Sequence, residues 1–300
     1  MTAICSTHPG VPALGACARC GRFVCDVCTV ELQPRLCTTC ANTLGDAWGL
    51  RGRSFDLLHA FRTGLGLVLA EAPALIVLAL LFAGPAAALQ LLVPPGDDLK
   101  TLSASIRLTN LYDTLVGIIG AQAMLALIIA RAEGRKLGLF GALRESVSNW
   151  GRAVGTRIRA GLWIFFFALL LLIPALWKGT MLLFTAVAAL RTQRDDALRT
   201  SESLVEGRFW PVFVFALALF GAFDLPVLVG TTVLGAVLGE VEAVPRFVLE
   251  YVPDFVARLG EALNLGVLYA GFVMLHHDAN LDLPPMNWVT DPPLRDAPRR

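Results

Sequence analysis

Residues 72–93 read APALIVLALLFAGPAAALQLLV, twenty-two consecutive positions without a charged side chain. At a rise of 1.5 Å per residue such a helix is about 33 Å long, enough to cross a hydrocarbon core of about 30 Å. The rest of the chain agrees with it. Of 300 residues, 56% are hydrophobic and 16% charged, with a mean hydropathy of +0.64, where a soluble domain carries about 25% charged residues. All seven cysteines lie between Cys5 and Cys40. The fold class expected is a small two-zinc, cross-brace module followed by an all-α multi-pass membrane helical bundle. Basic and acidic residues number 25 and 24, so there is no basic excess to draw a nucleic acid.

Working outward from 72–93, the apolar pattern predicts further membrane segments over 111–131, 160–177, 179–190, 209–239 and 255–277, six in all. The stretch 160–190 reads either as a hairpin turning near Pro174–Lys178 or as a single kinked helix, the latter leaving five crossings. The segment 209–239 would be about 46 Å long as a straight helix and contains Asp224-Leu225-Pro226, so a kink is expected there with Asp224 capping a restarted helix. Residues 131–159 hold seven basic and two acidic side chains, and 191–208 hold four arginines; 240–261 hold two basic and five acidic residues. Lysine and arginine are retained on the cytoplasmic side, which favours the hairpin and six segments with both termini inside. Within 135–159, Phe140, Leu143, Val147, Trp150, Val154 and Ile158 recur at helical spacing among arginines. This predicts an amphipathic helix in the headgroup plane that can contact anionic lipid.

The N-terminus, MTAICSTHPG, has neither the basic nor the apolar region of a secretory signal, so the cysteine module is expected in the reducing cytoplasm of a bacterial inner-membrane protein. There, clustered thiols read as metal ligands. Four pairs are spaced alike: Cys5-x2-His8, Cys17-x2-Cys20, Cys25-x2-Cys28 and Cys37-x2-Cys40. A two-residue gap lets both donors of a pair face one ion, and four donors close a tetrahedral Zn2+ site. Eight donors make two structural zinc sites with no coordination position left for water. The eight-four-eight intervals between pairs suggest interleaving, first with third and second with fourth, GRFV (21–24) being the turn between the sites; sequential pairing is the alternative. The domain reading is 1–43 zinc module, 44–62 linker, 63–280 membrane domain and 281–300 Pro-rich cytoplasmic tail.

The run CSTHPGVPALGACARCGRFVCDVC (5–28) resembles the B-box-like zinc fingers that precede membrane domains in some bacterial proteins, certain rhomboid proteases among them. The likeness covers residues 4–41 and implies protein binding without chemistry. The segment 173–213, IPALWKGTMLLFTAVAALRTQRDDALRTSESLVEGRFWPVF, resembles bacterial membrane domains of the glycerophosphodiester phosphodiesterase membrane-domain and YIP1-like group. Ala197, Leu198, Ser201, Leu204, Gly207 and Trp210 match its pattern, Ala175 stands where that group has glycine, and VLYAGFVMLHHD (267–278) resembles its final helix. The resemblance implies a helical membrane domain of ill-defined activity.

No catalytic set accompanies these features. The Gly-x-Ser-Gly motif of a rhomboid is absent, as are HExxH, P-loop and dinucleotide-binding patterns. His276 and His277 read as interfacial residues closing the last helix. Asp113 and Asp224 superficially suggest an aspartyl protease, but Gly221-Ala222-Phe223 lacks the glycine pattern such enzymes carry before the aspartate. The expectation is a non-enzymatic membrane protein whose zinc module binds a protein partner. The alternative is a small transporter or lipid-handling protein using Asp224 and broken helices.

Overall fold

The computed structural model describes residues 3–6, 8–17, 21–25, 28–30, 36–37, 48–50, 53–92, 108–191, 197–239 and 245–279, with 281, 283, 286 and 288. Two short hairpins form the N-terminal part. Strands β1 (Gly15–Ala16) and β2 (Phe23–Val24) pair antiparallel, as do β3 (Thr29–Val30) and β4 (Leu36–Cys37). Among the described residues from 57 to 279, nearly all are helical.

The first helix, α1 (Leu57–Ala70), begins at Asp56, whose carboxylate accepts the amides of Leu58 at 2.8 Å and His59 at 3.2 Å and so satisfies two of the orphan donors of the first turn. The expected linker 44–62 therefore ends early: 57–62 are helix. Its polar residues, His59 and Arg62, lower the hydropathy without breaking the helix, and Trp48, Leu50 and Phe55 already pack on the bundle. After Glu71, α2 (Ala72–Leu92) continues in the same direction.

These two helices run antiparallel to the last one, α10 (Arg246–Asp278). Asp278 Oδ2 accepts the amide of Phe55 at 2.7 Å, and Tyr251 donates to the carbonyl of Leu80 at 3.3 Å. Between these ties Gly64 and Gly266 bring the backbones together. A Cβ on Gly64 would lie 2.4 Å from Val267 Cα, and one on Gly266 2.8 Å from Gly64 O. Small residues that let backbones approach replace the hydrophobic drive that lipid removes. The last segment, expected over 255–277 with a helix start near Pro253, is helical from Arg246, nine residues before 255, and runs through Pro253.

Helix α3 (Ile118–Ala132), preceded by a π-helical turn over Asp113–Gly117, sits at the centre of the bundle and is buried over most of its length. Next, α4 (Leu139–Leu170) is one helix of 32 residues. The amphipathic helix expected to lie alone at the surface is thus continuous with the third apolar segment. It also packs on protein: Ser146 donates to the carbonyl of Ile119 at 2.6 Å, Trp150 Nε1 to that of Leu115 at 2.5 Å, and Ala153 and Val154 cluster with Ile118.

The chain then turns back on α4 through α5 (Leu172–Met181) and α6 (Thr185–Arg191). This is the hairpin reading, but the reversal lies at Leu171, whose backbone is extended (φ −169°, ψ 152°), and not at Pro174–Lys178. Proline in the first turn of a helix lacks only an amide that would have no helical partner, so Pro174 marks a helix start. Short α7 (Ala197–Val205) leads to α8 (Phe209–Leu219), a second π turn (Phe220–Asp224) and α9 (Leu225–Gly239). The helical path continues unbroken from the π turn through Leu225 and Pro226 into α9. The ring's clash falls on the carbonyl of Ala222, inside the wider π turn that accommodates it.

Among the described residues, six helical stretches are long and apolar enough to cross a membrane: Ala72–Leu91, Leu108–Ala132, Leu139–Leu170, Leu172–Arg191, Phe209–Leu234 and Phe247–Asp278. One core joins them. Phe184 stacks on Phe215 and contacts Phe272, and Phe55 meets Phe215 edge-on at 5.4 Å.

Candidate metal centre

The N-terminal hairpin assembles its donors by backbone hydrogen bonding. Cys17 N bonds to Arg22 O and Gly21 N to Cys17 O, at 2.8 and 2.9 Å, closing a knuckle in which Gly21 has a positive φ of 71°; the GRFV segment is the end of this turn plus strand β2. Strand β2 then delivers Cys25, and the amide of Cys28 bonds back to Cys25 O at 3.1 Å. On the other side, Cys5 N bonds to Val11 O at 2.9 Å across a turn containing Gly10 (φ 93°), which carries His8. Ser6 docks this turn on β2: its amide donates to Phe23 O at 3.0 Å and its hydroxyl at 3.1 Å.

The result places Cys5, His8, Cys25 and Cys28 around one point, every ligand atom within 4.8 Å of the others. Cys5 Sγ and Cys28 Sγ are 3.8 Å apart, while His8 Nδ1 is 3.4 Å from Cys25 Sγ and 3.1 Å from Cys28 Sγ. A disulfide would need about 2.05 Å. A tetrahedron with metal–sulfur bonds of about 2.3 Å has edges of about 3.8 Å, so the sulfur spacing is that of ligands sharing one ion. The thiols are buried and His8 lies at the rim. Three sulfurs and one imidazole nitrogen are the donor set of a structural zinc site. Such an ion would cross-link the two halves of the hairpin and supply folding free energy.

This is the first pair with the third, the interleaved combination. For the second set, Cys17 is buried beside Val24 and the first site, Cys37 lies on β4, and Cys20 and Cys40 fall outside the described residues. One four-donor site is therefore in view among the described residues.

The other singled-out residues are placed as follows. Asp224 ends the π turn and accepts from Asn264 Nδ2 of α10 at 3.2 Å, so a side chain from another helix, and no helix start, is its partner. Asp113 opens the other π turn and is ion-paired with Arg258, which also reaches Glu261 at 3.1 Å; Gly117 leaves room for that pair, since a Cβ there would lie 2.9 Å from Asp113 Oδ1. His276 is buried, its Nδ1 3.0 Å from Phe272 O, whereas His277 is exposed beside Asp278. Three residues of the resemblance motif pack inward, while its Trp210 is exposed. Ser201 accepts the amide of Phe184 at 3.1 Å and donates to Met181 O at 2.7 Å, Ala197 and Leu204 are buried on the same face, and Gly207 turns the chain at φ 77°.

Sequence reasoning missed a buried ion pair. Arg191, read as a topology marker at a span end, is 1% exposed, and donates to Glu133 Oε1 at 2.6 Å and Tyr269 Oη at 2.9 Å. It ties the C-terminal ends of α3 and α6 to the side of α10. The signal available was an arginine directly abutting Ala188-Ala189-Leu190 and a glutamate directly following the second span, 58 positions away. Comparison of the chain with family models, curated proteins and solved structures finds no match.

Proposed function

We propose that this is a non-enzymatic membrane protein whose zinc-binding module recruits a protein partner to the bilayer. One observation carries the reading: Cys5, His8, Cys25 and Cys28 form a complete, largely buried donor set joined to six helices of membrane-spanning length. Four protein donors leave a zinc ion no open position for water or substrate, which suits a structural role and not hydrolysis. A second zinc on Cys17, Cys20, Cys37 and Cys40 belongs to the same proposal, as does the module's place on the cytoplasmic side. Proximity labelling from the N-terminus in wild type and in Cys25→Ser tests it. A set of proteins labelled only by the wild type supports recruitment, and identical sets contradict it.

A second reading, transport or lipid handling, draws on the two π turns, each bearing an aspartate aimed at α10 (Asp113 at Arg258, Asp224 at Asn264). π turns and intramembrane carboxylates concentrate at functional sites. Flux in proteoliposomes abolished by Asp224→Asn would favour this reading, and absence of flux in wild type would end it.

A further inference from the structure

The described part of the zinc module has two sides. Along 12–17 exposure alternates: Pro12, Leu14 and Ala16 are exposed, Ala13 and Gly15 half-buried, and Cys17 buried. Ile4 pairs across from Pro12 and Phe23 across from Ala16. Both are exposed, at 58% and 48%, while their neighbours Cys5 and Val24 are buried. Gathering the thiols and Val24 inward thus sends Ile4, Pro12, Leu14, Ala16 and Phe23 outward as one apolar face. An exposed leucine on a membrane-length helix meets lipid tails, but these five residues lie outside all six such stretches, where a cluster of apolar side chains marks a contact surface. Among the described residues of the module Arg22, beside Phe23, is the sole Lys, Arg, Asp or Glu, and it too is exposed.

We propose that this face rests on the bilayer surface, with Ile4, Leu14 and Phe23 dipping below the headgroups and Arg22 meeting lipid phosphate. The tether selects the occupant. Trp48 packs against Gly66, the tenth residue of α1, where a Cβ would lie 2.9 Å from its ring, and Leu50 is buried in the bundle. Leu57, Leu58 and Leu69 of α1 are exposed outward, so the lipid-facing surface of the bundle runs along α1 past the point where Trp48 docks. Cys37 belongs to the module through the pairing of β4 with β3, and eleven residues separate it from Trp48, at most about 40 Å of chain. The bilayer is therefore always within reach, whereas a protein must arrive at a concentration of its own. An apolar face with a basic rim also matches the tails and phosphates of lipid. The inference needs the folded module and makes no use of protein recruitment, so the two readings fail separately.

The test is photo-crosslinking of the full-length protein carrying p-benzoylphenylalanine in place of Phe23, in place of Ile4 or, as a control, in place of Pro9, which is exposed on the turn that holds His8. The purified protein is placed in vesicles of phosphatidylethanolamine and phosphatidylglycerol, where no other protein is present, and irradiated there and in cells. Mass spectrometry should find a phospholipid adduct at positions 23 and 4 and little at 9, in vesicles and in cells alike. Adding Leu14→Asp should lower the adduct at 23 about tenfold, the factor that burial of one leucine supplies. Metal content should match wild type in all these variants, since each altered side chain faces outward. Equal adducts at 9 and 23, no lipid adduct at 23 and 4, a yield unmoved by Leu14→Asp, loss of metal on substitution at the face, or a protein adduct replacing the lipid one in cells would each overturn the proposal.

Discussion

The zinc module and the helical bundle solve the same problem by opposite means. Among the described residues, the module's buried cluster consists of Cys5, Cys17, Cys25, Cys28 and one aliphatic residue, Val24, whereas the bundle's runs from Leu50 to Met286 through most of its helices. A segment of some 40 residues cannot bury enough apolar surface to fold alone, so the module's order depends on what its thiols hold. The bundle depends on interdigitated side chains and a few internal polar ties. The two parts should fail independently, and perturbations can be sorted by which part they break.

The largest effect is expected from metal removal. A structural zinc contributes roughly 10 kcal/mol or more to such a module, so chelation should make residues 1–43 protease-sensitive while the bundle's unfolding midpoint stays where it was. Concerted unfolding of both would break the comparison. Next comes Arg191→Met. Leaving buried Glu133 only its more distant cation, Arg135 at 3.7 Å, should cost about 3 kcal/mol, read as a lower midpoint of the bundle in detergent. Arg191→Met with Glu133→Leu should recover much of the loss, because removing both partners of a buried pair is far cheaper than removing one.

A smaller effect belongs to the helix contact. Gly64→Ala places a methyl group 2.4 Å from the Val267 backbone and should cost about 1 to 3 kcal/mol by overpacking, with α1 displaced from α10 in a distance measurement between spin labels. Glycines facing open space, such as Gly151, should accept alanine without loss. Smallest is Ser201→Ala, which removes two hydrogen bonds at the 182–184 turn and should cost about 1 to 2 kcal/mol, again without altering metal content.

The sequence carried the composition of both regions and the donor types, because those are local properties. Runs of uncharged residues located the helical stretches at 72–93, 111–131 and 209–239 closely and the other three with shifted starts, and x2 spacing named the ligand pairs. The eight-four-eight intervals suggested joining the first pair with the third but left sequential pairing open; what decides between them is the docking of Ser6 at Phe23, seventeen residues away. The hairpin turn was misplaced because Pro174 looks like a breaker, while the actual break, Leu171, is chemically indistinguishable from its leucine neighbours. Arg191 and Glu133 each read as a charge at a membrane boundary, and only the meeting of α6, α3 and Tyr269 of α10 buries them. Both π turns were invisible for a related reason: Asp113 and Asp224 are positioned by partners on α10 and not by their own helices.

The central claim is that Cys5 and Cys25 serve the same ion, and zinc stoichiometry tests it most directly. Zinc per chain is measured for the full-length wild type, Cys5→Ser, Cys25→Ser and the double variant. If the first and third pairs share one site, each single substitution removes the same equivalent and the double variant loses no more than either. Losses that add in the double variant, or a Cys5→Ser deficit matched by Cys17→Ser and not by Cys25→Ser, would contradict the account.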